Sequence, residues 1–269
     1  MQRSVVLRGS LFFPKRPGHY TQNVIDSIRS WHNGELIVST WHDQFEQARS
    51  LYGIDKLVVS PDPGDGPLQQ MQRQLNSYRA GVSAATGEQI LVTRTDIIHF
   101  RNLFEFVGKD LERSTVNFGS FRQKLVIGNI MTIAPGSSEK INTFRACDWY
   151  QCGWAEDIHR WCSIHEELAA IPKQVLDAAW SREDICTEKL WFSLVLQKYA
   201  RKDFDWQNTS QYDAFAWHAL VDNFTVLDSI STARTLNLNW AFQPQRLACY
   251  VTEKQFNHVR ADLCGVQYS

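Results

Sequence analysis

The sequence predicts a mixed α/β fold built on a largely parallel sheet, and three observations predict it. Four short apolar runs alternate with three segments of helical periodicity within the first 96 residues, the pattern of right-handed crossovers between parallel strands. Turn formers fall between them: Asn33-Gly34, Gly53, Gly87 and the run Pro61-Asp62-Pro63-Gly64-Asp65-Gly66-Pro67. A chain of 269 residues that is 43% hydrophobic and 21% charged has the apolar content for one large core.

Ser4–Leu7, with Leu11–Phe13 beyond the break at Arg8-Gly9, reads as the first buried strand. Thr21–Trp31 carries Val24, Ile25 and Ile28 at helical spacing and ends at Asn33-Gly34. Glu35–Ser39 is the second strand, Gln44–Leu51 a short helix stopped by Gly53, and Lys56–Val59 the third strand. After the proline-rich loop, Leu68–Ala85 is a longer amphipathic helix. Leu75, Tyr78 and Val82 mark its apolar stripe, and Gly87 lies just past its end. Gln89–Val92 is the fourth strand.

The second half is less regular. Ser120–Leu125 and Asn129–Ile133 read as short strands, Ile158–Ile171 and Lys189–Tyr199 as helices, and Phe224–Leu227 as a late strand. Thr252-Glu253-Lys254-Gln255 has the form of a capping box opening a last helix. No stretch reads as a linker, so one domain is expected over 1–269, with a first half at 1–119 and a second at 120–269.

Lys plus Arg (28) and Asp plus Glu (29) nearly cancel, so no global field recruits nucleic acid or an anionic membrane. The apolar stretch near the N-terminus is too short for a signal peptide, and no run approaches the ~20 residues that span a bilayer. Peripheral membrane contact stays open. The six cysteines form no CxxC pair, which reads as free thiols of a reducing cytoplasm rather than a zinc cluster.

Ligands of parallel sheets sit beyond the carboxyl ends of the strands. The residues just after each strand are therefore the candidates: Arg8-Gly9, Ser39-Thr40-Trp41 and Thr93-Arg94-Thr95-Asp96. Gly9 permits close backbone approach. Trp41 offers an aromatic face to a base or sugar ring. Arg94 suits phosphate oxygens, and Asp96 is a hard oxygen ligand of the kind Mg²⁺ or Mn²⁺ takes at a diphosphate. Together they describe a site for a nucleoside diphosphate and a polar ring. Each also has a plainer reading: Gly9 as a bulge, Trp41 as core, Asp96 as a cap after a strand.

Four segments, Val5–Leu11 (VVLRGSL), Leu36–Trp41 (LIVSTW), Met71–Val82 (MQRQLNSYRAGV) and Ile90–Asp96 (ILVTRTD), occur in this order along the chain. Their order and spacing resemble those of the WavE lipopolysaccharide-synthesis family. Cys147–Asp157 (CDWYQCGWAED) resembles that family's Asp-Trp, glycine and acidic-pair stretch. The resemblance implies a GT-A-like fold, with a Rossmann-like donor half at 1–119 and a mixed acceptor half at 120–269. It implies transfer of a sugar from a nucleotide-sugar, a UDP-sugar first, to a bacterial surface glycan: lipopolysaccharide core, O-antigen or capsule. A cytoplasmic enzyme working at the inner face of the inner membrane on a lipid-linked acceptor fits that role.

The resemblance puts Gly9, Ser39, Thr40 and Trp41 around the nucleotide and Arg73 towards the diphosphate. On helical geometry alone Arg73 and Arg79 lie on different faces, and either reads equally well as solvated surface. Arg94 and Asp96 match the acidic metal motif, which implies Mn²⁺ or Mg²⁺ on Asp96. The chain departs from the family pattern twice. Arg8-Gly9-Ser10 stands where Gln-Gly-Pro is favoured, and one carboxylate replaces the usual Asp-x-Asp. The second departure leaves a metal-independent mechanism as the alternative.

Transfer to a hydroxyl needs a group to take its proton. The acidic pair Glu156-Asp157, beyond Gly153 at the start of an expected helix, is the candidate, with Asp157 ahead of Glu156 on the resemblance. The plainer reading is that both complement the helix dipole; Asp148 and Glu188 come next. Inversion is favoured, because no nucleophile is placed for a double displacement. Eight of the ten tryptophans follow residue 148, which suits stacking on an acceptor glycan, although most of these rings read as core. His159 and His165 are six apart and lack the spacing of a helical metal pair. Two other readings compete. One is a sugar nucleotidyltransferase, for which Arg8-Gly9-Ser10 is a poor glycine-rich loop. The other is a non-catalytic carbohydrate-binding or assembly subunit of a glycan-synthesis complex, which the missing second carboxylate favours.

Overall fold

A computed structural model describes residues 1–11, 21–64, 67–129, 132, 144–181, 186–235 and 250–265; at 67, 68, 181, 230, 234 and 235 it describes the backbone alone. The first half comprises β1 (Arg3–Arg8), α1 (Thr21–Arg29), β2 (Glu35–Trp41), α2 (Phe45–Ala48), β3 (Lys56–Ser60), α3 (Pro67–Ala84) and β4 (Gln89–Arg94). There follow β5 (Ile97–His99), β6 (Leu125–Gly128), β7 (Tyr150–Trp154), α4 (Ala155–Cys162), α5 (His165–Ala169), α6 (Lys173–Ser181) and α7 (Thr187–Tyr199). The last elements are α8 (Ala216–Asn223), β8 (Phe224–Leu227), α9 (Ser229–Thr232), β9 (Ala233–Thr235) and α10 (Glu253–Cys264).

Seven strands form one sheet in the order β3-β2-β1-β4-β7-β6-β8, and β5 pairs with β9 in a second, small one. The first four are mutually parallel. β7 runs antiparallel to both β4 and β6, and β8 is parallel to β6. The α/β class expected from the sequence is the one observed: a Rossmann-like parallel half continued by a mixed half. Val5, Val6 and Leu7 of β1 are wholly buried, as expected of a strand covered on both faces, which is why the run is continuous rather than alternating. On α3, the stripe Leu75, Tyr78 and Val82 is buried as its spacing predicts. Gly81 lets this helix approach the sheet closely. A Cβ there would strike the Val6 side chain and lie 3.0 Å from the Ser39 Cβ.

The second half departs from its sequence reading in several places. β7 is a strand that hydropathy does not reveal, because Gln151 and Gly153 interrupt its apolar run although Tyr150–Gly153 are all buried. Gly153 is required there by close packing, since a Cβ would come within 2.5 Å of Leu125 Cδ2. The strand expected at Ser120–Leu125 begins only at Leu125. The reason lies in the backbone donors before it. Ser120 N–H donates to Asn223 Oδ1 at 2.6 Å, and the N–H groups of Arg122 and Gln123 donate to Asp157 at 2.7 and 2.9 Å. Side chains have taken the bonds a ladder would need. The single helix expected over Ile158–Ile171 is two, α4 and α5. Leu11 is not in a strand; Phe12 and Phe13 lie outside the described residues, as does most of Asn129–Ile133. At α10 the Thr252 hydroxyl accepts from Gln255 N–H at 3.0 Å, the cap the sequence predicts.

Several tryptophans of the second half build its core. Trp161 stacks on Trp191 at 5.9 Å and meets Phe224 edge-on, and Trp149, Trp161 and Trp191 are each buried. No helix among the described residues is long and apolar enough to cross a membrane.

Candidate functional site

A cavity of about 260 Å³ opens at the carboxyl ends of β1, β2 and β4, lined by Arg8, Gly9, Ser10, Trp41, Gln70, Arg73, Gln74, Ser77, Arg94, Thr95, Asp96 and Asp148. The parallel strands deliver the first of these by ending together, and α3 supplies the side wall through Gln70–Ser77. Because β7 is antiparallel to β4, the residues that precede it arrive at this same end: Arg94 N–H donates to the Trp149 carbonyl at 3.2 Å. That is how Asp148, remote in sequence, joins the site.

The turn after β1 is held from several sides. Gly9 takes a positive φ of 109° and its N–H donates to the Ser39 carbonyl at 3.0 Å, a backbone conformation that favours glycine. The Thr95 hydroxyl donates to the Ser10 carbonyl at 2.5 Å. Thr40 and the Leu11 N–H both donate to Gln44 Oε1, at 2.9 and 2.8 Å. Ser39 donates to the Ser77 carbonyl at 2.8 Å, tying β2 to α3. Ser39 and Thr40 are thus fully buried supports of the site and do not line it. Trp41 lines it with only 3% of its surface exposed, so it forms a wall more than an open stacking face. Its indole N–H donates to Ser10 Oγ at 3.3 Å.

Charge is concentrated on the floor. Arg94 forks onto Asp96 through Nε and Nη2, both at 2.9 Å, and its Nη1 reaches Asp148 Oδ2 at 3.4 Å. Burial opposes the Arg94 charge, but Asp148 and Asp96 outweigh it and hold the pKa above the ordinary arginine value. Arg8 is 4% exposed and donates through Nη2 to the Asp148 carbonyl at 2.8 Å. Its guanidinium lies over the Tyr78 ring at 5.5 Å, and its Nε is buried without a partner among the described residues. Burial pushes its pKa down against the pull of Asp148, yet a guanidinium keeps its proton in proteins. Arg73 reaches the cavity while paired to Asp62 of the proline-rich loop.

This places a buried cation, a second one clamped by carboxylates, and a third on the helix wall around one cavity. Such an arrangement receives an anion with several oxygens. Whether it receives a divalent cation turns on Asp96, the residue expected to bind one. Both of its oxygens already accept from Arg94, and the only other carboxylate lining the cavity shares the same guanidinium. The donor set does not fit a metal as it stands.

The structure does not bring Glu156 and Asp157 to this cavity. Trp154 pairs with Gln89, the first residue of β4, and the Ala155 N–H donates to the Glu88 carbonyl. The acidic pair therefore sits at the opposite end of the strands, where Glu156 and Asp157 themselves line a separate cavity of about 380 Å³ together with Glu88, Arg122, Gln123, Trp154 and Ala155. Asp157 is buried and uses both oxygens on loop N–H groups; burial raises its pKa, and those two bonds oppose the rise. Glu156 is half exposed and paired to Arg160 at 2.9 Å. Neither occupies the position expected of a base serving the arginine-lined site. Arg8 and Asp148 are the residues that strand-end reasoning undervalues.

Solved structures similar to this chain include a nucleotidyl transferase from Methanothermobacter thermautotroptrophicus, at 16% identity, covering 98% of this chain and 97% of that one, with a TM-score of 0.45. Glucosyl-3-phosphoglycerate synthase from Mycobacterium tuberculosis, in complex with Mn²⁺, UDP and glucosyl-3-phosphoglycerate, is similar at 15% identity, covering 100% and 81%, with a TM-score of 0.36. The same synthase with Mn²⁺, UDP and phosphoglyceric acid gives 15% identity, 100% and 80%, and 0.37. No curated protein sequence matches the chain. The profile of WavE lipopolysaccharide synthesis matches residues 4–229, and the chain belongs to that family.

Proposed function

We propose that the protein is a glycosyltransferase that binds a UDP-sugar at the carboxyl end of the parallel strands and moves its sugar to a bacterial surface glycan. The acceptor classes are lipopolysaccharide core, O-antigen and capsule, and a lipid-linked form of any of them would bring the enzyme to the inner face of the inner membrane. The observation that carries this reading is the buried Arg8 guanidinium, lacking a carboxylate bridge among the described residues and facing one cavity with Arg73 and Arg94. Membership of a lipopolysaccharide-synthesis family supports the substrate class.

In this reading Gly9 and Trp41 border the nucleotide, and Arg8, Arg73 and Arg94 receive the diphosphate. The acceptor hydroxyl attacks the anomeric carbon, and the bond to the diphosphate oxygen breaks as the new glycosidic bond forms. The charge left on the diphosphate falls on Arg8 and Arg94, where fixed donors act at no cost in reorganisation. Asp148, 12% exposed on its side chain and held at the cavity by Arg94, replaces Asp157 as the base that takes the hydroxyl proton. One displacement of this kind inverts the anomeric centre.

The test is release of UDP from a panel of UDP-sugars, with water or added glycan as acceptor. Release of free UDP supports transfer. Release of pyrophosphate from UTP and a sugar phosphate would instead make the protein a nucleotidyltransferase, and binding without turnover would make it a non-catalytic subunit.

A further inference from the structure

We propose that the guanidinium of Arg94 stands where a divalent cation would stand in the donor site, so that the nucleoside diphosphate binds without metal; this rests on the donor reading above. The geometry at Asp96 carries the proposal. Both carboxylate oxygens accept from one guanidinium at 2.9 Å, and the same guanidinium reaches Asp148 at 3.4 Å. The place between the two carboxylates is therefore filled by a cation the chain supplies itself. A metal ion could reach Asp96 only by expelling Arg94, which is 34% exposed and bound on two sides.

Charge and donor count agree with this. Arg8, Arg73 and Arg94 line the cavity against Asp96 and Asp148, with Arg73 also paired to Asp62 outside it. The cavity has no acidic excess of the kind that draws in a divalent ion. What it has in excess is N–H groups. Arg94 uses three on Asp96 and Asp148, Arg8 uses one on the Asp148 carbonyl, and Arg8 Nε is buried with no partner among the described residues. A guanidinium has further donors beyond these, and planar forks of this type match phosphate oxygens. Asp96 then acts as a positioning residue. It fixes the Arg94 fork so that the remaining donors face the cavity.

The experiment is calorimetric titration of UDP into the protein in EDTA and again in excess Mn²⁺, with free Mn²⁺ followed by paramagnetic resonance. The expected result is one UDP affinity in both media, and no Mn²⁺ retained beyond what UDP alone holds. Asp96→Asn should weaken UDP about tenfold, equally with and without Mn²⁺. Should that variant fail to fold, Arg94→Lys, which keeps the charge and loses the fork, should show the same metal-independent weakening. A gain of about tenfold or more from Mn²⁺ in the wild type, abolished by Asp96→Asn, would overturn the proposal and leave the donor reading standing. Binding of UDP in neither medium, with the protein folded, would overturn both.

Discussion

The two ends of the β4–β7 pair each hold a buried carboxylate, and what each carboxylate binds is different. At the carboxyl end of β4, Asp96 and Asp148 hold the guanidinium of Arg94, which lines a cavity. At the opposite end Asp157 holds two backbone N–H groups, and Glu35 holds the Ser4 hydroxyl, the Thr86 N–H and the Lys56 ammonium. A carboxylate that satisfies peptide groups is committed to the fold. One that satisfies a cation beside a cavity leaves that cation placed to meet a ligand. Strand direction decides which end is which, and an acidic residue in the sequence carries no label of its own.

The largest expected effect is on Asp148. Asp148→Asn should lower turnover by about 10²–10⁴-fold, the range for losing a positioned general base, and leave UDP affinity nearly unchanged. Single-turnover transfer and UDP calorimetry check the two halves. An active Asp148→Asn would return the base to another residue and weaken the contrast between the ends.

Asp157→Asn should do the reverse. An amide can accept one loop N–H but presents an NH₂ group to the other, so stability should fall by about 1–3 kcal/mol in urea unfolding. Turnover at saturating donor should persist in the folded fraction. A third effect, at Glu35, depends on pH. Burial pushes this carboxyl up, but the bonds from Lys56, Ser4 and the Thr86 N–H outweigh it and hold the pKa at about 2 against an ordinary 4.5. A depressed folded pKa adds stability that is complete above the unfolded value and lost as pH falls through the folded one. The stability gap between wild type and Glu35→Gln should thus be widest above pH 4.5 and close as pH approaches about 2. The smallest effect is at Glu156, whose side chain is 53% exposed. Glu156→Gln should shift stability by no more than about 0.5 kcal/mol and leave turnover alone.

The parallel half is legible in the sequence because strands buried on both faces write themselves as unbroken apolar runs, and α3 shows its stripe at Leu75, Tyr78 and Val82. The rule that ligands sit at carboxyl ends singles out Gly9, Trp41, Arg94 and Asp96, and all of them line the cavity. The rest is hidden for identifiable reasons. Arg8, named at its strand end but given no role, directly follows the wholly buried apolar run Val5–Leu7, and that abrupt buried charge is the signal that marks it. Asp148 and Asp157 stand nine residues apart in a segment that reads as irregular. Only once Tyr150–Trp154 is known to be a strand antiparallel to β4 do they fall at opposite ends of the sheet. Ser39 and Thr40 share the strand end with Trp41, but their hydroxyls are used on Ser77 and Gln44, partners that no spacing rule connects to them.

Donor binding through an anion site built around Arg8 at the carboxyl end is tested by UDP calorimetry on three proteins. Wild type should bind UDP. Arg8→Gln should fold and lose about 10–100-fold in affinity, the value of charge-assisted bonds to a phosphate. Asp157→Asn should bind as wild type does. Unchanged affinity in Arg8→Gln, or loss of binding in a folded Asp157→Asn, would contradict the assignment of donor binding to this end of the sheet.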